Sequence, residues 1–472
     1  MKVLSRTSLI MGLIAGLSAC SLMPDYQQPD PDVALADTGA TNETAAAELG
    51  WREFFQDPSL QAMIERALDN NRELEAASLS VQQLQAQYRI QRAARLPAVD
   101  AEAAASRSRT PESLSFTGDS GINEQYSVGL GITNWEIDFF GRLDSLSQSA
   151  LQQYFASQAA RNNIQLSLVA QVADAWYSWQ AARAQYQLAV DTREVREESY
   201  RLIQKRFDNG LASELDLRQS ETAVHEARVL EAQYRQQANQ FFTTLQLLTG
   251  DTLDKQHWQA EWHEIGEIQA IPADLSSAVL LQRPDVLQAE HQIKSANADI
   301  GAARAAFFPR ISLTTSLGLA GSAPAQLTET SSRQWQIAPQ FSLPLLDWGV
   351  NQANLDVAEL QKDINIANYQ LVIQQAFKEV RDEMEARITL DDQFQAQHDL
   401  TTATQRSLEL ARTRFDAGVD SYLDVLDAQR SSINSQLNLI DIRLQGLRNQ
   451  LTIYKALGGG LLETTVNAEL AK

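Results

Sequence analysis

The chain of 472 residues carries a formal charge of −21, five His and a single Cys. That acidity argues against nucleic acid, whose binding needs a clustered positive surface. A mean hydropathy of −0.30 excludes a polytopic helical membrane protein, so any membrane contact must come from a short segment, a lipid or strands.

At the start, Lys2 and Arg6 form a basic region, Leu9 to Gly16 a short apolar stretch, and Leu17-Ser18-Ala19-Cys20 follows. The apolar run is too short to span a bilayer, so residues 1–19 are expected to be a cleaved secretory signal. With one Cys no intrachain disulfide can form, and stability must come from packing or assembly. Residues 20–58, rich in Pro, Asp and Ala, are expected to form an extended leader.

A first structural unit covers 59–250. Asp57-Pro58-Ser59 starts a helix expected to run to about Arg95, where Pro97 ends it. Residues 98–138 contain alternating segments, clearest where Tyr126, Val128, Leu130 and Ile132 share one face and Ser127, Gly129, Gly131 and Thr133 the other. A long helix over 143–208 ends at Arg206-Phe207-Asp208. A turn through Asn209, Gly210, Leu211 and Ala212 follows, and Ser213 caps a helix to about Thr249. Residues 251–273 are an irregular connection.

The plan then repeats over 274–456, with residues 457–472 left as a tail. A helix over about 274–308 precedes strands at 310–320 and 335–343, and helices cover 351–416 and 420–456. Gly349 matches Gly141 and Gly418 matches Gly210, each 208 positions on. The second turn, Ala417, Gly418, Val419, Asp420 and Ser421, is thus the twin of the first. Each long helix measures about 100 Å at 1.5 Å per residue, and the shorter ones about 55 Å, so two short helices in line match one long one. Ile373, Phe377, Val380, Met384 and Ile388 recur at spacings of four and three and are expected to form a seam.

The fold class is therefore mainly α with a β-barrel portion: long antiparallel helical hairpins plus two strands, in duplicate. Four strands cannot close alone in lipid, so chains must pool them: two would give eight and three twelve. Eight strands leave an interior that side chains fill, whereas an open lumen needs more. A soluble antiparallel sheet with one wet face shows the same alternation. Trp135, Phe139, Phe140, Trp335 and Trp348 lie near strand ends, where interfacial aromatics are favoured.

Several motifs resemble the TolC/OprM-type outer-membrane factors of Gram-negative efflux systems, in their lipoprotein branch. They are Asp138-Phe139-Phe140-Gly141-Arg142, Gln282-Arg283-Pro284-Asp285, Ala302 to Ser312, Leu343 to Gly349, Leu426 to Arg430 and Tyr454 to Gly460. Leu-Ser-Ala-Cys likewise resembles a lipobox, which implies a covalent lipid such as palmitate on Cys20 and, with Ser21 next, sorting to the outer membrane. The resemblance implies a homotrimer with a 12-stranded barrel set in outer-membrane lipid and continuous with an α-helical periplasmic tunnel. It implies a periplasmic adaptor docked on the two tips and an inner-membrane pump of the resistance-nodulation-division type. It also implies export of drugs or other small toxic compounds, in multidrug resistance, with no cofactor beyond the lipid.

Leu423 and Asp427, four apart on one helix face, would form rings on the threefold axis: an apolar constriction and a charge filter. By the resemblance Arg430 joins the network that ties the hairpins together when shut, while Asp424 adds a carboxylate beside Leu423. His225, His257, His263, His291 and His398 show no recognised metal spacing, and no phosphate loop or nucleophile elbow is present; a non-enzyme is expected. A channel for protein secretion and a non-conducting adaptor-type lipoprotein remain open. Sequence does not name the cargo, the particular pump or the gating order.

Overall fold

The structure, a computed structural model, describes residues 21–30, 49–114, 120–254, 262, 268 and 277–464. Cys20, His257 and His263 therefore lie outside the described residues. The helices are α1 (Trp51–Phe54), α2 (Pro58–Asn70), α3 (Arg72–Ala93), α4 (Arg142–Asp208), α5 (Glu214–Thr249), α6 (Pro284–Ala305), α7 (Val350–Asp416) and α8 (Tyr422–Ala456). The strands are β1 (Asp100–Thr110), β2 (Gly121–Glu136), β3 (Arg310–Gly321) and β4 (Arg333–Ser342). Two compact units emerge: Met1–Asp30, Ser80–Gln158 and Gln288–Gln370 make one; Pro31–Leu79, Ala159–Leu287 and Leu371–Lys472 make the other.

The duplication is visible in the helix bounds: α4 and α7 are each 67 residues long and 208 positions apart at both ends. At 1.5 Å per residue each rises about 100 Å. Gly141 and Gly349 precede them at φ 70° and 87°, a left-handed backbone that favours glycine. The helix beginning at Pro58 has Asp57 as its cap, accepting from the Ser59 amide at 2.8 Å, with Pro at the first position where no amide is needed.

Three sequence expectations are corrected. The helix expected over 59–95 breaks at Asn71, whose ψ is 124°. The Asn71 carboxamide oxygen accepts from the amides of Glu73 and Leu74, restarting the helix, and its nitrogen donates to the Leu248 carbonyl. The helix expected from 274 begins only at Pro284, after a 3-10 turn at Ser277–Gln282. The leader does not stay extended to residue 58: Trp51, Phe54 and Phe55 are wholly buried, and Phe54 stacks on Tyr454 at 3.8 Å. Apolar residues at i, i+3 and i+4 explain this short helix.

In the first unit the four strands form one antiparallel sheet in the order β1-β2-β3-β4. Leu130 lies opposite Leu317, and Leu317 opposite Trp335, while Gly129 faces Gly318 on the other side of the pleat. A side chain at Gly318 would meet the Val128 carbonyl at 2.4 Å, so the strands approach closely there. The strands are less uniform than expected, since β2 runs 16 residues with a bulge between Ile132 and Trp135. The early leader is fastened to this unit: Asn297 donates to the Pro24 carbonyl at 2.7 Å, Tyr26 to Glu290 at 3.1 Å and Gln28 to the Tyr369 hydroxyl at 3.2 Å.

The second unit holds the main apolar core, built from α1, α2, the middle of α4, α5 and the end of α8, with Trp176, Val172, Phe242, Leu245 and Tyr454 at its centre. Trp176 donates its indole N–H to Asp57 at 2.9 Å, which satisfies the one polar atom of that side chain. Of the expected seam, Ile373 is buried and Phe377, Val380 and Met384 pack against this core, whereas Ile388 is 71 % exposed. Among the described residues no helix is long and apolar enough to cross a membrane.

Candidate functional site

Both tips are built by the same local chemistry. At the first, the Gly210 amide donates to the Phe207 carbonyl at 2.9 Å and the Leu211 amide to the Arg206 carbonyl at 2.7 Å, with Gly210 at φ 72°. At the second, Gly418 donates to Phe415 and Val419 to Arg414, both at 2.9 Å, with Gly418 also at φ 72°. Each is a Schellman closure followed at once by a new helix. Ser213 and Ser421 cap those helices, and the Asp216 and Asp424 carboxylates in turn accept from the serine backbone amides. Asp424, noted from the sequence as an extra carboxylate beside Leu423, is thus the reciprocal partner of a capping box.

The tips then differ. Arg414 holds Asp420 through two hydrogen bonds, at 2.6 and 2.8 Å, and this keeps the Asp420 carboxyl below the usual aspartate range. The matching position in the first tip is Ala212, so Arg206 has no such partner; its guanidinium lies 5.0 Å from the Phe415 ring of the second tip. Ile203, Leu217, Tyr422, Val425 and Leu426 form a small buried cluster, joined by Ala212 and Phe415. Ala212 and Asp420 are half-buried within these contacts; Asn209, Gly210, Leu211, Ser213, Ala417, Gly418, Val419 and Ser421 are exposed.

Of the three expected gate residues, Leu423 is 47 % exposed, and Asp427 and Arg430 are exposed and 3.5 Å apart as an i,i+3 pair. One turn away Gln429 is buried against the hairpins, and so is Arg196 of α4, which donates to the Ala223 carbonyl at 2.8 Å. Burial lowers the Arg196 pKa, with Glu226 opposing the shift and the Arg430 charge reinforcing it. Sequence reasoning missed Arg196; its only signal was a basic residue ten positions before Arg206 on the same helix.

Elsewhere, Phe140 stacks on Phe308 at 4.8 Å and Trp135 donates to the Arg95 carbonyl, while Trp335 and Trp348 are largely exposed. His291 is hydrogen-bonded to Gln152 at 2.8 Å, and burial holds its pKa below the usual histidine value. Arg283 links Asp285, Glu379 and the Ala456 carbonyl. Among the described residues no group of His, Cys, Asp and Glu could hold a metal ion.

A duplicated chain of long helical hairpins with an antiparallel sheet, apolar and exposed on one face, is the architecture of an outer-membrane channel. The family model described as "Outer membrane efflux protein" matches residues 63–251 and 275–459. The chain belongs to this family. It is 44 % identical over 459 residues to the toluene efflux pump outer membrane protein TtgC of Pseudomonas putida, covering 96 % of this chain and 95 % of that one. To the outer membrane protein OprJ of Pseudomonas aeruginosa it is 39 % identical, with 94 % of each chain covered. The open state of the MtrE outer membrane channel of Neisseria gonorrhoeae superposes with a TM-score of 0.86 at 36 % identity, over 95 % of this chain and 100 % of that one.

Proposed function

We propose that three copies of this chain pool their sheets into a 12-stranded barrel in the outer membrane, with the long helices forming a periplasmic tunnel. The observation that carries this is the sheet. In the single chain β1 and β4 each pair on one side only, and Val128, Leu130, Leu317, Trp335, Ile337 and Phe341 are exposed. Lipid tolerates neither unpaired backbone edges nor an open sheet, and closure by a neighbour's strands removes both edges. Exposed apolar residues along α7 (Val357, Leu360, Ile364 and Leu371) favour the same assembly.

Cys20 is the proposed lipid anchor, freed by removal of residues 1–19, and the fastened leader leads from it. The chain works as a passive exit duct and catalyses no reaction. The two tips meet a periplasmic adaptor, which joins the duct to an inner-membrane pump of the resistance-nodulation-division type. Relatives named for toluene, solvent and antibiotic efflux favour small, largely apolar toxic compounds as cargo. At the second tip Leu423 supplies an apolar ring and Asp427 a carboxylate ring, and Arg430 restrains the hairpin. Leu423→Ala with Arg430→Ala should raise single-channel conductance in planar bilayers. A closed trace from a correctly assembled double variant would remove this gate. A strain lacking the chain should lose resistance to a panel of dyes, detergents, solvents and antibiotics; unchanged susceptibility would point to another cargo, proteins included.

A further inference from the structure

The face of the sheet that carries Val128, Leu130, Leu317 and Trp335 is apolar along most of its length and basic at one end. On β1 that face reads Ala101, Ala103 and Ala105, then Arg107 and Arg109: Ala101 lies opposite Leu130, Ala103 opposite Val128, Arg107 opposite Glu124 and Arg109 opposite Ile122. On β4 it begins at Arg333, which lies opposite Leu319, itself opposite Val128, and continues through Trp335 and Ile337. All three arginines are exposed. They stand where β1 ends and β4 begins, at the hairpin end of the sheet, away from the ends that join the helices. At the helix end the same face presents Trp135, Leu313 and Phe341, with no basic residue among the described strand positions.

Charge on a lipid-facing strand position is costly at the middle of the bilayer and tolerated near its surfaces, so these arginines mark headgroup level. Glu124 answers one of them, pairing with Arg107 at 2.9 Å. Arg109 and Arg333 form no ion pair among the described residues. Glu112 and Glu329 lie past the strand ends, in the hairpins, and are exposed. Closing the barrel sets β4 of one copy beside β1 of the next, which gathers all three guanidinium groups at each seam. Guanidinium N–H groups match pairs of phosphate oxygens, and the arginine stem lies along apolar surface while its head reaches the interface.

We propose that each seam binds the phosphate headgroup of an outer-leaflet lipid through Arg107 and Arg109 of one copy and Arg333 of the next, with the acyl chains laid along Val128, Trp335 and Ile337. The site rests on the pooled barrel and is incomplete in a single chain. The basic end fixes which end of the barrel meets the anionic surface, and the bound lipid covers the junction between copies from outside.

The test uses the full-length assembled protein in detergent, mixed with lipid A (a glycolipid bearing phosphates) or with its dephosphorylated form. Native mass spectrometry counts the lipid kept by each assembled particle, and conductance of the same sample checks the barrel separately. Wild type should retain lipid A and lose most of that retention when the phosphates are removed. Arg109→Gln with Arg333→Gln should lower retention by roughly tenfold or more, the scale expected when charged hydrogen bonds are lost. Arg310→Gln, on the opposite face of the sheet, should leave it unchanged. Conducting trimers that keep both lipids equally, or as well in the double variant as in wild type, would overturn the seam and leave the barrel standing. A protein that forms no conducting trimer would remove both.

Discussion

Two helices of equal length, α4 and α7, sit at matching places in the two repeats and meet opposite surroundings. The middle of α4 is sealed: Val169, Val172, Ala173, Trp176, Tyr177 and Trp179 are all buried. Along α7, Val357, Leu360, Ile364, Leu371 and Ile388 stand at half exposure or more, and in the stretch that matches the sealed middle of α4, Phe377, Val380 and Met384 are only partly buried. Duplication supplied two copies of one helix, and only one finds its full complement within the chain. An unpartnered apolar surface of that length is what an assembling protein presents.

The contrast can be broken by truncating one side chain on each helix. Trp176→Ala should cost roughly 3–5 kcal/mol of folding stability, the usual range for a buried aromatic. Denaturant unfolding would measure it, and a small loss would mean that α4 is not the core helix. Ile388→Ala should change subunit stability by no more than about 0.5 kcal/mol, as at other exposed positions. Its effect should be read instead in the fraction of assembled particles.

The tips sharpen the comparison at smaller scale. Gly210→Val and Gly418→Val should each cost roughly 1–2 kcal/mol, because both glycines sit at φ 72° where a branched side chain is strained. Ser213→Ala and Ser421→Ala should each lose about 1 kcal/mol through the lost caps. Unequal losses within either pair, read by hydrogen exchange at the following helix, would show that the twins are not equivalent.

The smallest effect separates them. The Asp420 carboxyl is held below the ordinary aspartate value by Arg414, so its contribution is complete above that value and vanishes as pH falls through the lower folded one. Acidification should therefore loosen the Val419 amide before that of Leu211, where Ala212 offers nothing to titrate. Asp420→Asn should remove the difference, and exchange rates at the two amides across the acid range would show it.

Much of this was legible in the sequence because it is local or periodic. The glycine turns, the serine caps, the strand alternation and the 208-residue offset depend on neighbours in sequence. What was missed depends on distant partners. Asn71 breaks a helix because Leu248 offers a carbonyl, and the Asp69-Asn70-Asn71 run was its only trace. Phe54 and Phe55 fold inward because the Tyr454 ring meets them from about 400 residues later. Asp424 stood in the sequence only as a carboxylate beside Leu423, and its bonds with Ser421 give it the role of a cap. Arg196 carries no motif at all; only burial singles it out.

The central claim, that copies of the chain close a shared barrel, is tested most directly by weighing the full-length protein in detergent and reconstituting the same sample into a planar bilayer. The account predicts particles of three chains that conduct ions. A single-chain particle that leaves the bilayer silent would contradict it.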